Sequence, residues 1–357
     1  MIAELLIDLD TIAANWRLLC SVHAAPVSAV VKAQAYGLGA VPVARRLYAA
    51  GARQFFVGHV EEGLELRPHL PGAMIAVLNG YDASEAGAYA AHGLAPVLGS
   101  LAEIAACRAH AGTVGRALPA LLHVDTGMNR LGLPPAELAV LAADHTLLAG
   151  VDWLYVLTHL VSAEAPAAAV NAAQLARFTA ARAVLPPMPA SIANSSGIFG
   201  GAGLRSDLAR PGAALYGLNP TPGVANPMAP SFRLTAPVVQ LREVGVGETV
   251  GYNATWAAAR PSRVATVALG YADGYLRAAS NRAYAAYGAA RLPLIGRVSM
   301  DLLSFDATDH ASLGVGDRLE LIGPAITPDE LGGWAGSNGY EIMTSLGHRA
   351  ARRFGAL

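Results

Sequence analysis

Lys32 closes the apolar run 28–32, and Tyr36 follows it within the segment Ala29-Val30-Val31-Lys32-Ala33-Gln34-Ala35-Tyr36-Gly37-Leu38-Gly39. Lysine is strongly hydrated, so one set at the rim of a buried β-run must be neutralised, paired or used. An aldehyde cofactor would use it as a Schiff-base nitrogen; the plainer alternative is a lysine that marks the end of a strand. Later apolar runs also end on polar residues: His123-Val124-Asp125-Thr126-Gly127-Met128-Asn129-Arg130, His159, Asn194-Ser195-Ser196 and Arg210. A single histidine such as His159 reads more readily as a satisfied rim residue, but five such endings together favour a shared site. Ser195, Gly212 and Ala213 suit a phosphate: Pro211 can open a short helix, Gly212 lets a phosphate approach the backbone, and the serine hydroxyl can donate. Ordinary turn chemistry is the alternative there. A phosphate site opposite a Schiff-base lysine implies pyridoxal 5'-phosphate.

The elements that must position these residues are short runs rich in Val, Leu and Ile, alternating with longer Ala-rich stretches of helical period. The runs are 28–32, 54–58, 73–78, 94–98, 120–124, 151–158, 190–194 and 207–210. Eight parallel strands in so short a span predict a closed α/β barrel, (β/α)₈ and TIM-like, whose functional face lies at the strands' C-terminal ends. After Asn219-Pro220-Thr221-Pro222-Gly223 the texture becomes that of a mainly β-strand domain, with strands expected at 237–241, 263–269, 292–305 and 318–322 and a helical pattern at 340–354. The expected domains are therefore 1–223 and 224–357, with the first few residues free to pair with the second domain.

With 357 residues, 54% of them hydrophobic, the chain has ample core for two domains. Charged residues are 14% and the net charge is −1, so no long-range field would draw nucleic acid or an anionic membrane. Cys20 and Cys107 are too few for a disulfide framework or a thiolate metal cluster, and no metal is expected. The opening Met1-Ile2-Ala3-Glu4-Leu5-Leu6-Ile7-Asp8 lacks a basic stretch and carries acids, so neither a signal peptide nor an anchor is expected and a cytoplasmic location is.

The lysine segment, Val124-Asp125-Thr126-Gly127-Met128-Asn129-Arg130-Leu131-Gly132, Ala193-Asn194-Ser195 and Arg210-Pro211-Gly212-Ala213-Ala214-Leu215-Tyr216-Gly217 carry a resemblance to the alanine racemases, fold-type III pyridoxal-phosphate enzymes. It continues through Val250-Gly251-Tyr252-Asn253, Gly270-Tyr271-Ala272-Asp273-Gly274 and Gly296-Arg297-Val298-Ser299-Met300-Asp301. The resemblance implies a head-to-tail homodimer with shared active sites that interconverts L- and D-alanine and supplies D-alanine for peptidoglycan. Two bases on opposite faces of the cofactor are implied: Lys32 for the D-enantiomer and Tyr252 for the L-enantiomer. His159 and Arg210 are implied to support Tyr252, with Arg210 also facing the pyridine nitrogen. By the same resemblance Tyr36 reaches the phosphate, as do Asn194, Ser195, Gly212 and Ala213 around it. Arg130 contacts the cofactor's phenolic oxygen and the substrate carboxylate, Met300 binds that carboxylate through its amide, and Tyr271 and Asp301 guard the entryway.

Two departures stand out. His123 occupies the place of a lysine that is often carbamylated to orient the arginine matching Arg130, so Arg130 is expected to be held by His123 itself, a bound anion or another carboxylate. His348 stands where some members carry a phosphate-binding tyrosine, and it could still donate to phosphate. Gln34 and Leu38 replace the frequent Asn and His without removing a catalytic group. The alternatives are a racemase of serine or another small amino acid, a pyridoxal-phosphate decarboxylase, and a non-catalytic pyridoxal-phosphate homeostasis protein. Arg210 argues against a decarboxylase and the second domain against a carrier.

Overall fold

The computed structural model describes residues 2–357. After β1 (Glu4–Ile7) and the helix Leu9–His23, the apolar runs form seven parallel strands joined in chain order: β2 (Ala29–Val30), β3 (Gln54–Val57), β4 (Met74–Val77), β5 (Leu94–Leu98), β6 (Leu118–His123), β7 (Val151–Leu157) and β8 (Ala190–Ser191). Every residue of β5 is buried, as expected for a parallel strand covered on both faces. The intervening Ala-rich stretches are helices. Leu101–Val114 is typical: Ser100 Oγ accepts the Glu103 amide at 3.2 Å, satisfying a donor that the first turn leaves free.

The eighth run, 207–210, closes the curl without becoming a regular strand. Leu208 and Arg210 donate backbone bonds to Ala190 and Ala193 at 3.2 and 2.8 Å on one side. On the other side Ser28 donates to Ala209 at 2.9 Å and Ala209 to Pro26 at 3.0 Å. Pro211 has no N–H to donate, but its carbonyl still accepts the Val30 amide at 3.1 Å, so on the β2 side the ladder runs one step past Arg210.

The remaining strands build an eight-stranded sheet. Its spine is β9 (Phe232–Val244), antiparallel to β1, to β12 (Ser262–Val267) and to β16 (Arg318–Ile322). Beyond it lie β13 (Tyr284–Tyr287), β14 (Ala290–Pro293), β15 (Leu303–Asp306) and β17 (Ala351–Phe354). A separate ribbon pairs β10 (Thr249–Val250) with β11 (Trp256–Ala257), and Tyr252 sits in the turn between them. β1 lies between β9 and β17, parallel to the latter.

Two expectations are corrected. The run 292–305 is not one strand: β14 and β15 are parted by a loop whose backbone is taken by other partners, Ser299 and Met300 carbonyls accepting the amides of Tyr271 and Ala272 at 3.0 Å each. The pattern at 340–354 is helical only over Gly339–Thr344; Ala351–Phe354 is drawn into the sheet by pairing with β1, tertiary pairing overriding a local helical period. Among the described residues no helix is long and apolar enough to cross a membrane.

Candidate active site

A cleft of about 560 Å³ opens at the C-terminal ends of the barrel strands, and it gathers Lys32, Tyr36, His123, Arg130, His159, Asn194, Ser195, Arg210, Gly212 and Ala213. The convergence follows from topology, because each of these residues closes a strand or opens the loop after it.

Lys32 is launched from an unusual backbone. Directly after it Ala33, Gln34, Ala35 and Tyr36 have φ of 52, 55, 52 and 56°, four consecutive left-handed residues, none of them glycine. At 1–2 kcal/mol each this geometry costs roughly 4–8 kcal/mol. The bonds inside the segment, Ala35 to Val31 at 2.9 Å, Gly37 to Ala33 at 2.9 Å and Gly39 to Gln34 at 2.7 Å, return only about 1 kcal/mol apiece. The turn therefore depends on what surrounds it. Burial, then the nearby Arg130 cation, push the Lys32 amine below the usual lysine range, with Glu62 partly opposing them. A lysine so placed holds its free base, the form that attacks carbonyls, more readily than an exposed one.

Opposite it lies a cradle for an anion. Ser195 Oγ accepts the amides of Gly212 and Ala214 at 3.1 and 3.2 Å, which leaves its own proton to donate. A Cβ on Gly212 would stand 2.2 Å from the Tyr36 hydroxyl, so only glycine lets that hydroxyl reach the loop. Burial raises the Tyr36 phenol, keeping it a donor. The Ser195 and Tyr36 hydroxyls, sharing the cleft with a half-buried lysine, fit a phosphate-bearing aldehyde. Asn194 contributes structurally as well, its Oδ1 accepting the Gly197 amide at 2.9 Å.

Arg210, only 5% exposed, donates to Ser191 Oγ and to the Thr158 carbonyl, both neutral. Burial lowers it to about 10, so it is still a cation at neutral pH. Burial and this charge drive His159 down to about 3 and His123 to about 4, which makes both neutral imidazoles near pH 7. Among the described residues no hydrogen bond joins the His159 ring to Arg210 or Tyr252.

Arg130 lines the cleft beside His123. Its expected direct bond to His123 is absent among the described residues, and no carboxylate pairs with it; Asp125 is spent on its own turn, accepting the amides of Gly127 and Met128 at 2.8 and 3.0 Å. A neutral His123 cannot supply the negative charge that a carbamate would, which is the physical reason it does not capture the guanidinium.

Five of the expected residues lie outside this cleft. Tyr252 and Met300 are 64% and 53% exposed, and Tyr271 is exposed beside Met300, its amide bonded to the Ser299 carbonyl at 3.0 Å. Asp301 pairs with Arg349 at 2.8 Å. His348 is exposed and does not line the cleft; Tyr340, eight residues earlier, does, its ring centroid 6.3 Å from that of Tyr36. Tyr340 was missed because the whole 340–354 stretch was read as one helix, on which no position is singled out. The available signal was Asn338, whose side chain caps the short helix that sets Tyr340 at the edge of the cleft.

A (β/α)₈ barrel with a half-buried lysine facing an anion cradle, joined to a strand domain, defines the class of barrel amino-acid racemases. The chain belongs to the alanine racemase family: the model of the alanine racemase N-terminal domain matches residues 7–220 and that of the C-terminal domain residues 231–354. It is an enzyme of that kind. The alanine racemase of Acidiphilium cryptum is 54% identical over 98% of this chain and 97% of its own length. A catabolic alanine racemase of Mesorhizobium japonicum is 45% identical over 99% of this chain and 93% of its own. Among solved structures, the alanine racemase of Bartonella henselae with covalently bound pyridoxal phosphate superposes with a TM-score of 0.96 at 39% identity, covering 99% of each chain. The biosynthetic alanine racemase of Pseudomonas aeruginosa gives 0.94 at 35% identity, again over 99% of each chain.

Proposed function

We propose that the chain interconverts L- and D-alanine with pyridoxal 5'-phosphate held at Lys32, acting as a homodimer in which Tyr252 of the partner subunit completes each site. The observation that carries this reading is the half-buried Lys32 amine sharing a cleft with the Tyr36, Ser195 and Gly212 cradle. Lys32 and the loop residues around Ser195 would hold the cofactor, which would supply an electron sink for the substrate's α-carbon. Lys32 Nζ, lowered by burial and by Arg130, takes or returns the α-proton on one face. The phenolic oxygen of Tyr252 of the partner subunit does so on the other, which supports a role for an aromatic left 64% exposed in the single chain. Arg210, a cation with no carboxylate partner among the described residues, would disfavour protonation of a pyridine nitrogen held against it and so restrain electron withdrawal, favouring proton return over decarboxylation. Ser195, Gly212, Ala213, Tyr36 and Tyr340 hold the phosphate. Arg130 and the Met300 amide bind the substrate carboxylate, and Tyr271 and Asp301 flank the entry.

We further assign residues 1–223 to the cofactor-binding barrel and 224–357 to the domain that completes the partner's site, and we place the enzyme in the cytoplasm, supplying D-alanine to peptidoglycan. The purified protein is incubated separately with L-alanine and L-serine, and the D-enantiomer and carbon dioxide are followed. D-alanine formation is expected to dominate; carbon dioxide without inversion overturns the reading, and preferential inversion of serine moves the substrate.

A further inference from the structure

The left-handed turn behind Lys32 is gripped from outside at both ends. At its entry one carboxylate serves two strands: Glu62 accepts the Ala33 amide through Oε1 at 2.6 Å and the Gly58 amide through Oε2 at 2.7 Å. The residue after Lys32 is thereby tied to the loop leaving β3. At its exit Arg352, on β17 of the other domain, donates through Nη1 to the Gly37 carbonyl at 2.5 Å and through Nη2 to the Gly347 carbonyl at 3.5 Å. Arg352 is half-buried and has no acidic partner among the described residues, so a guanidinium is desolvated for two carbonyls alone. The contact is close because Gly37 lacks a Cβ, which would stand 2.4 Å from the Met343 carbonyl.

We propose that Glu62 and Arg352 are positioning residues for Lys32, clamping the left-handed turn Ala33–Tyr36 from its two ends so that the amine points at the cofactor. This deepens the function proposed above and rests on Lys32 carrying the cofactor. Lys32 has the rigid strand β2 before it and only this turn after it; a strained turn persists where its surroundings over-determine it, and a relaxed one would relaunch the side chain. A small misplacement of a reacting amine lowers turnover without touching substrate contacts.

The test uses the holoenzyme carrying Glu62→Gln, Arg352→Gln, Arg352→Lys and the double variant Glu62→Gln/Arg352→Gln. Each Gln variant is expected to lose on the order of 10- to 100-fold in kcat, while KM for alanine moves less than about threefold. Hydroxylamine is expected to bleach the visible band of the lysine-bound cofactor faster in both, Arg352→Lys to restore most of kcat, and the double variant to cost less than the product of the singles because both act through one turn. Unchanged kcat and bleaching in both singles overturns the proposal, as does a multiplicative double variant or a kcat loss that follows only a fall in Tm. Should Glu62→Gln not accumulate folded, the two Arg352 variants decide by the same readouts. A visible band that survives in Lys32→Ala refutes the cofactor's attachment there; its loss in Lys32→Ala beside wild-type singles refutes the clamp alone.

Discussion

The barrel mouth and the exposed face of the strand domain hold the two halves of the expected chemistry in opposite states. At the mouth Lys32, Ser195, Gly212 and Arg210 are buried or half-buried and interlocked within one chain. On the other face Tyr252, Tyr271 and Met300 are exposed and do not line the cleft at the mouth. Desolvation and fixed partners tune the first set; the second has solvent on one side and needs another surface to become chemistry. Under the function proposed above, the difference teaches that cofactor capture belongs to one chain and turnover to two.

The largest expected effect breaks the first half: Lys32→Ala should cost on the order of 10⁴-fold or more in turnover and abolish the visible absorbance of the bound cofactor, read by spectrophotometry. Tyr252→Phe should cost about 10²–10⁴-fold while keeping that absorbance and the Tm, the contrast that the exposed face demands. Mixing the two inactive proteins and letting subunits exchange should restore about a quarter of wild-type activity, because each heterodimer regains one site with both bases intact; no recovery would mean that both bases come from one chain. Gly212→Ala, whose new methyl would meet the Tyr36 hydroxyl at 2.2 Å, should weaken cofactor retention about tenfold, measured by equilibrium dialysis.

The smallest effect concerns stability. His123 and His159 titrate at about 4 and about 3 in the folded chain but near 6.5 when unfolded. A lowered histidine is neutral in the native state while the unfolded chain binds protons, so stability present above pH 6.5 is lost as pH falls toward 4 and then 3. Tm followed against pH should decline over this window, and His159→Gln should flatten the decline.

Much of the mouth was legible in the sequence because strand ends are marked twice, by the close of an apolar run and by the polar residue that follows; Lys32, His123, His159 and Arg210 were all found that way. The left-handed turn was not, since Ala33, Gln34, Ala35 and Tyr36 contain no glycine or asparagine to announce positive φ, and the conformation is imposed by contacts from distant residues. Arg352 was hidden for the same reason as Tyr340: it lies in a stretch whose helical period is overruled by pairing with β1. The failure of 292–305 as one strand likewise reflects a backbone engaged by Tyr271 and Ala272, which no local pattern encodes.

The seating of β1 between β9 and β17 has a consequence for biosynthesis. Glu4 pairs with Ala351 and Thr235, so β1 waits for strands made much later in the chain to find its neighbours. The barrel's successive strands pair with neighbours in sequence and its closure spans Ser28 to Ala209, whereas the sheet closes over the longer separation between Glu4 and Ala351, which costs more chain entropy and is expected to form later. Before Arg352 has been made, the turn behind Lys32 lacks the bond to the Gly37 carbonyl on which the proposed clamp rests, so the nascent barrel holds its lysine from the Glu62 side alone.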